Sequence, residues 1–262
     1  MKSLLPLGLV LAGLATGCAL ENLDSRQQSL AGDHYVAMGD SYASGTGTRE
    51  YTDATCQRSN DSYAVQLAAR DGLVLSHVAC SGARIPDVRA NQLGALSTAT
   101  DLVTISIGGN DAGFSSVITR CALPAPFTCT NEINTARTFI TNTLPGQLDS
   151  LYTDIHTRAP NAQVIVVGYP RLFNGQQCNL GARISPAEQT SLNGVADLLA
   201  AKTSAVATAH GFDFVDPRTP FDPHRICASV EWVNGLSNPV GESYHPNKLG
   251  HDEFTDLVAA KL

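Results

Sequence analysis

Tryptophan occurs once and methionine twice in this chain, charged side chains make up only 16% of it, and lysine and arginine nowhere gather into a basic stripe. With 17 Lys and Arg set against 24 Asp and Glu, for a formal charge of -7, no nucleic-acid partner is expected. A permanent transmembrane helix needs about 20 apolar residues, and the apolar run at residues 4–14 falls short of that. Cys-x-x-Cys is missing, and none of the seven histidines stands at zinc-ligand spacing from a cysteine, so no metal site is expected. There is no Gly-x-x-x-x-Gly-Lys-Ser/Thr phosphate loop, and Gly45-Thr46-Gly47 is followed by Glu50 where a dinucleotide loop wants glycine, so no nucleotide cofactor is implied. Nor is there an internal repeat or a low-complexity tract. What remains is 262 residues, 43% hydrophobic and 6% aromatic, the composition of an ordinary folded domain.

The first residues stand apart from that domain. Lys2, the apolar run at 4–14 and the small residues Ala15, Thr16 and Gly17 before Cys18 have the three-part layout of an export signal. Leu14-Ala15-Thr16-Gly17-Cys18 resembles a bacterial lipobox, which would make Cys18 a lipidated first residue; cleavage with release and a retained anchor are the other outcomes. Residues 19–32 lack periodicity and read as a polar tether. The cysteines agree with export. If Cys18 is consumed in processing, Cys56, Cys80, Cys121, Cys129, Cys178 and Cys227 remain, an even number that reads as three disulfides. Many pairings are open, but closing neighbours costs the least chain entropy and favours 56 with 80, 121 with 129, and 178 with 227.

Beyond residue 33, short apolar segments alternate with helical spacing. Strands are expected at 34–39, 73–79, 102–107, 163–168 and 212–215, and helices at 62–70, 131–158, 186–210 and 248–262. Ser62, Ser185-Pro186 and Asn247 supply helix starts, while Gly72 and Gly211 supply helix ends. Regular alternation predicts a single doubly wound α/β/α domain over 33–262, with a mostly parallel sheet of about five strands. Such sheets bind ligands beyond the carboxyl ends of their strands. Strand one runs into Gly39-Asp40-Ser41, strand two into Cys80-Ser81-Gly82 and strand three into Gly108-Gly109-Asn110-Asp111, while His245 precedes the last helix.

Each of these residue types answers a chemical need. A serine hydroxyl attacks only when a neighbouring base takes its proton, and imidazole suits that task at neutral pH. Ser41 and His245 supply the pair. The oxyanion formed on attack needs donors fixed in advance, for which the backbone N–H groups of Ser41 and Gly82 and the side-chain amide of Asn110 are the candidates. Asp40 reads as a brace for the loop. Taken singly, Gly-Asp-Ser and Gly-Gly-Asn-Asp are common turn sequences, and His34, His77, His156, His210, His224 and His251 compete with His245. Together, in this order, they converge on one rim. Phe114, Phe173, Phe221 and Trp232 are candidates for lining an acyl pocket, although a lone aromatic is more often core.

On these residues the chain resembles the SGNH, or GDSL, hydrolase family, through Ser41 in GDSYASG, Gly82 in CSGA, Asn110 in GGND and His245 in ESYHPN. With six cysteines, and WVNGL ahead of SYHPN, it looks most like the secreted actinobacterial lipases and phospholipases of that family. The resemblance implies three sequential disulfides and hydrolysis of carboxylic esters without a cofactor. A small-molecule or lipid ester is the expected substrate, and the chain is expected to act as a monomer outside the cell or at its envelope. Acetyl-ester hydrolysis on polysaccharide and an inactive acyl-binding lipoprotein are the alternatives. Where the wider family has Asp three residues before its histidine, this chain has Glu242. Either that side chain or a backbone carbonyl, of Glu242 or Ser243, can orient His245; Glu242 is expected to be exposed and dispensable.

Overall fold

A computed structural model of the chain describes residues 30–124, 126–179 and 181–262. The export signal, Cys18 and most of the tether lie outside the described residues. Residues 30–32, at the end of that tether, pack on the domain, with Leu30 against the core and the Gly32 N–H bonded to the Gly72 carbonyl.

Five parallel strands form one sheet: β1 (His34–Gly39), β2 (Val74–His77), β3 (Leu102–Ser106), β4 (Gln163–Val167) and β5 (Asp213–Val215), in the spatial order β2-β1-β3-β4-β5. Because side chains alternate across a strand, Tyr35, Ala37, Leu102, Ile165 and Val167 enter one core cluster, while Val36, Met38, Val103, Ile105, Val164 and Val166 enter another on the opposite face. The first face is covered by α2 (Tyr63–Asp71) and by the last helix, which α2 contacts directly; the second is covered by α3 (Ile85–Asn91) and α6 (Leu144–Arg158). Burial on both faces explains why β1, β3 and β4 read as continuous apolar runs. β2 is an edge strand with Val74 exposed, and it is shorter than its apolar sequence predicts.

The helices between strands are α1 (Ser41–Ser44), α4 (Phe114–Cys121), α5 (Thr130–Asn142), α7 (Pro186–Ala209), α8 (Arg218–Phe221) and α9 (Lys248–Ala259). Ser62, Ser185 and Asn247 cap α2, α7 and α9 by accepting the N–H groups of Val65, Glu188 and Gly250. The single helix expected at 131–158 is two. Pro145 lacks an N–H and crowds the turn before it, so α5 stops at Asn142 and α6 starts with proline in its first turn. The short helices α1, α3 and α4 carry too few turns for periodicity to reveal them. Disulfides join Cys56 to Cys80, Cys121 to Cys129 and Cys178 to Cys227. Among the described residues no helix is long and apolar enough to cross a membrane.

Candidate active site

The loops after β1, β2 and β3 meet where the strand order reverses, between β1 and its neighbours. Gly39 makes the first of them possible. Its φ is 121°, and a Cβ there would lie 2.2 Å from the Ser106 carbonyl oxygen, so only glycine lets β1 turn beside β3. The buried Gln92 amide pins the same residue, donating to the Gly39 carbonyl at 2.9 Å and accepting its N–H at 2.7 Å. Asp40 then caps α1, accepting the Tyr42 N–H at 3.0 Å, and Ser41 is the first residue of that one-turn helix. The bracing expected of Asp40 is visible in its second oxygen, which accepts the Tyr169 hydroxyl at 2.5 Å. Burial pushes the Asp40 carboxyl up to about 7.

His245 faces this helix. Its Nε2 is 2.8 Å from Ser41 Oγ and its Nδ1 is 2.9 Å from the Ser243 carbonyl oxygen. A carbonyl can only accept, so Nδ1 carries the hydrogen and Nε2 presents its lone pair to the serine hydroxyl. Burial lowers the imidazole to about 4, with the Ser243 bond working the other way, and the ring is therefore a neutral base at pH 7. Of the two acceptors open to His245, the structure uses the backbone carbonyl of Ser243. Glu242 departs from expectation. Its side chain is buried, not exposed, and it points to the loop after α1, where Oε1 accepts the Tyr51 hydroxyl at 2.8 Å and Oε2 lies 3.6 Å from Arg49 Nε.

The candidate oxyanion donors come from three segments. Gly82 has φ of 82° and open space where a Cβ would stand. Among the described residues, neither its N–H nor that of Ser41 is taken by another group. Asn110 donates one amide hydrogen to the Ala83 carbonyl at 3.0 Å, which fixes the side chain and leaves its second hydrogen uncommitted. Asp111 ties the same two loops, its carboxylate accepting the Ile85 N–H at 3.1 Å.

From Ser41 an apolar cleft of about 740 Å³, its open mouth included, runs between α4, α5 and α7, lined by Val117, Ile118, Ala136, Ile140, Leu192 and Leu199 among others. Phe114 and Phe173 also line it. Phe221 and Trp232 do not; they pack edge to face in the core at 5.3 Å. Cys121, Cys129 and Glu188 come within 4.8 Å of one another, but both sulfurs are bonded to each other and offer no thiolate to a metal.

Tyr169 escaped the sequence reading. Its hydroxyl accepts the Gly109 N–H at 3.3 Å while donating to Asp40, joining the first and third loops. Its position just beyond β4, on the ligand-binding edge of the sheet, is the signal that could have found it.

Residues 37–253 match the profile of the GDSL-like lipase/acylhydrolase family. The chain is 43% identical over 244 residues to Lipase 1 of Streptomyces coelicolor, an alignment covering 90% of each protein. Its fold superposes on the crystal structure of an extracellular lipase from Streptomyces rimosus with a TM-score of 0.82 and 42% identity, over 87% of this chain and 99% of that one. Phospholipase A1 from Streptomyces albidoflavus gives a TM-score of 0.84 at 38% identity, over 88% and 100%. With its five-stranded sheet, its loop order and these relatives, the chain belongs to the GDSL-like lipase/acylhydrolase family.

Proposed function

We propose that the protein hydrolyses carboxylic esters of lipids through an acyl intermediate on Ser41. The observation that carries this reading is the line from Ser243 carbonyl through His245 to Ser41 Oγ, ending at the mouth of an apolar cleft. In the first half-reaction His245 Nε2 removes the hydroxyl proton as Oγ attacks the ester carbonyl. The oxyanion then forms against the N–H groups of Ser41 and Gly82 and the Asn110 amide, and the imidazolium returns the proton to the departing alcohol. In the second half water, deprotonated by the same nitrogen, attacks the acyl carbonyl, and the imidazolium returns the proton to Ser41 Oγ as the acid leaves. The apolar lining of the cleft favours a hydrocarbon acyl chain over acetate. The relatives named lipase and phospholipase A1 support the same substrate class.

On this reading the chain acts as a monomer outside the cytoplasm, where its three disulfides persist. Cys18, following Leu14-Ala15-Thr16-Gly17, is the lipid attachment site in the tethered form. Intact mass of the protein recovered from the envelope tests this: a diacylglyceryl increment on Cys18 supports it, and an unmodified mature chain overturns it.

A fluorophosphonate should label the protein on Ser41, and Ser41→Ala should stay folded while losing roughly 10⁴ in activity. On p-nitrophenyl esters of graded length, turnover of palmitoyl esters is expected. Labelling at Ser44 or Ser81, or turnover of acetate alone, would overturn the assignment.

A further inference from the structure

The acceptor that orients His245 is the carbonyl of a residue only two positions earlier. For the chain to fold back that tightly, Tyr244 takes φ of 65°, in the left-handed region. A bulky residue there is an outlier that persists only when its surroundings hold it.

One side chain and one main-chain segment stand against this turn. The Tyr42 hydroxyl donates to the Tyr244 carbonyl at 2.7 Å, a buried contact between residues 202 apart in sequence. Tyr42 follows Ser41 on α1, and Tyr244 precedes His245, so one hydrogen bond joins the nucleophile's helix to the base's turn. From the other side, the Asn234 main chain accepts the Tyr244 N–H at 2.9 Å on its carbonyl and donates its own N–H to the His245 carbonyl at 2.9 Å. Its side-chain amide donates to the Gly47 carbonyl at 2.8 Å and reaches the Glu242 carbonyl at 3.5 Å, linking the loop after α1 to the turn. Asn234 belongs to the WVNGL segment, to which the hydrolytic reading assigns no role.

We propose that the Tyr42 hydroxyl and the Asn234 side chain are positioning residues for the base, setting the Ser41 to His245 distance by clamping the strained Tyr244 turn; this rests on the acyl-enzyme reading above. Neither group removes a proton or binds the oxyanion. They act through the Ser243 and Tyr244 peptides, and since a misplacement of about 1 Å can cost on the order of 10² in rate, their loss should register in the chemical step. The Tyr42 ring lines the cleft and meets Tyr169 edge to face at 4.9 Å, so Tyr42→Phe removes the hydroxyl while keeping the wall.

In Tyr42→Phe, kcat on a p-nitrophenyl ester should fall by roughly 10- to 100-fold with KM within about twofold, and the rate of fluorophosphonate labelling at Ser41 should fall by the same factor. Asn234→Ala keeps the backbone bonds to Tyr244 and His245 but loses the side-chain contacts to Gly47 and Glu242, and should lower kcat and labelling in the same way by a smaller factor. The double variant should lose little beyond the weaker single, because both act on one turn. An unaltered kcat and labelling rate in a folded Tyr42→Phe would overturn the clamp, as would a change confined to KM. Fully multiplicative losses in the double variant would overturn the shared turn. If the unaltered protein is not labelled on Ser41, the acyl-enzyme reading fails and takes the clamp with it, whereas labelled wild type with an undiminished variant rate defeats the clamp alone.

Discussion

Glu242 separates two jobs that its place in the sequence would merge. It occupies the position of the family's aspartate, yet His245 Nδ1 is held by the Ser243 carbonyl and the Glu242 carboxylate holds Tyr51. Glu242→Gln keeps an oxygen for the Tyr51 hydroxyl, so its activity should remain within about tenfold of wild type. Glu242→Ala leaves that half-buried hydroxyl with only the Gly47 N–H as its partner and should cost about 0.5–1.5 kcal/mol of stability, read as a lower Tm. The Arg49 contact adds little, because that side chain is 60% exposed. A loss of 10³ or more in folded Glu242→Gln would make the carboxylate part of the proton-transfer machinery. Ser41, Gly82, Asn110 and His245 were legible in the sequence because each lies in a short motif at a predictable strand end or helix start. Tyr42, Tyr51 and Asn234 were not, since their contacts span up to 202 residues and depend on loop paths that no local pattern encodes.

The cleft belongs to the elements around it. α4, α5 and α7 leave a slot between them because α5 and α7 present alanines, Ala136 and Ala196, where larger side chains would close it. Ala136→Phe should fill the slot while leaving the serine and histidine in place. Hydrolysis of palmitoyl esters should then fall by about tenfold or more relative to butyryl esters, and an unchanged chain-length profile would show that acyl chains lie elsewhere. The existence of the five strands and the caps at Ser62, Ser185 and Asn247 could be read from the sequence, because apolar runs and capping residues act locally. The break at Thr143 was overlooked although Pro145 announces it, and the cleft could not be foreseen, because it depends on how three helices far apart in the chain cross.

One buried and two partly buried histidines give the whole molecule a pH dependence. Burial lowers His77 and His245 to about 4 and His251 to about 3, whereas in the unfolded chain each titrates near 6.5. Between those values the unfolded chain takes up three protons that the fold excludes, so their contribution is complete above about pH 6.5 and fades as pH falls. Asp40 works in the opposite sense: raised to about 7, it holds a proton that the unfolded chain releases above about 4. The balance favours the histidines, and stability should decline from pH 6.5 to 4 by roughly 1–3 kcal/mol per pH unit, read as a falling Tm by calorimetry. A flat or rising Tm over that range would contradict it. At the same scale, Ser41 and His245 lie 204 residues apart, one just after the first strand and the other just before the last helix. A growing chain therefore carries its serine 204 residues before the partner that arms it. A chain that stops short of His245 carries the nucleophile without the base that activates it, and cleavage that frees the segment holding His245 disarms the enzyme without touching Ser41.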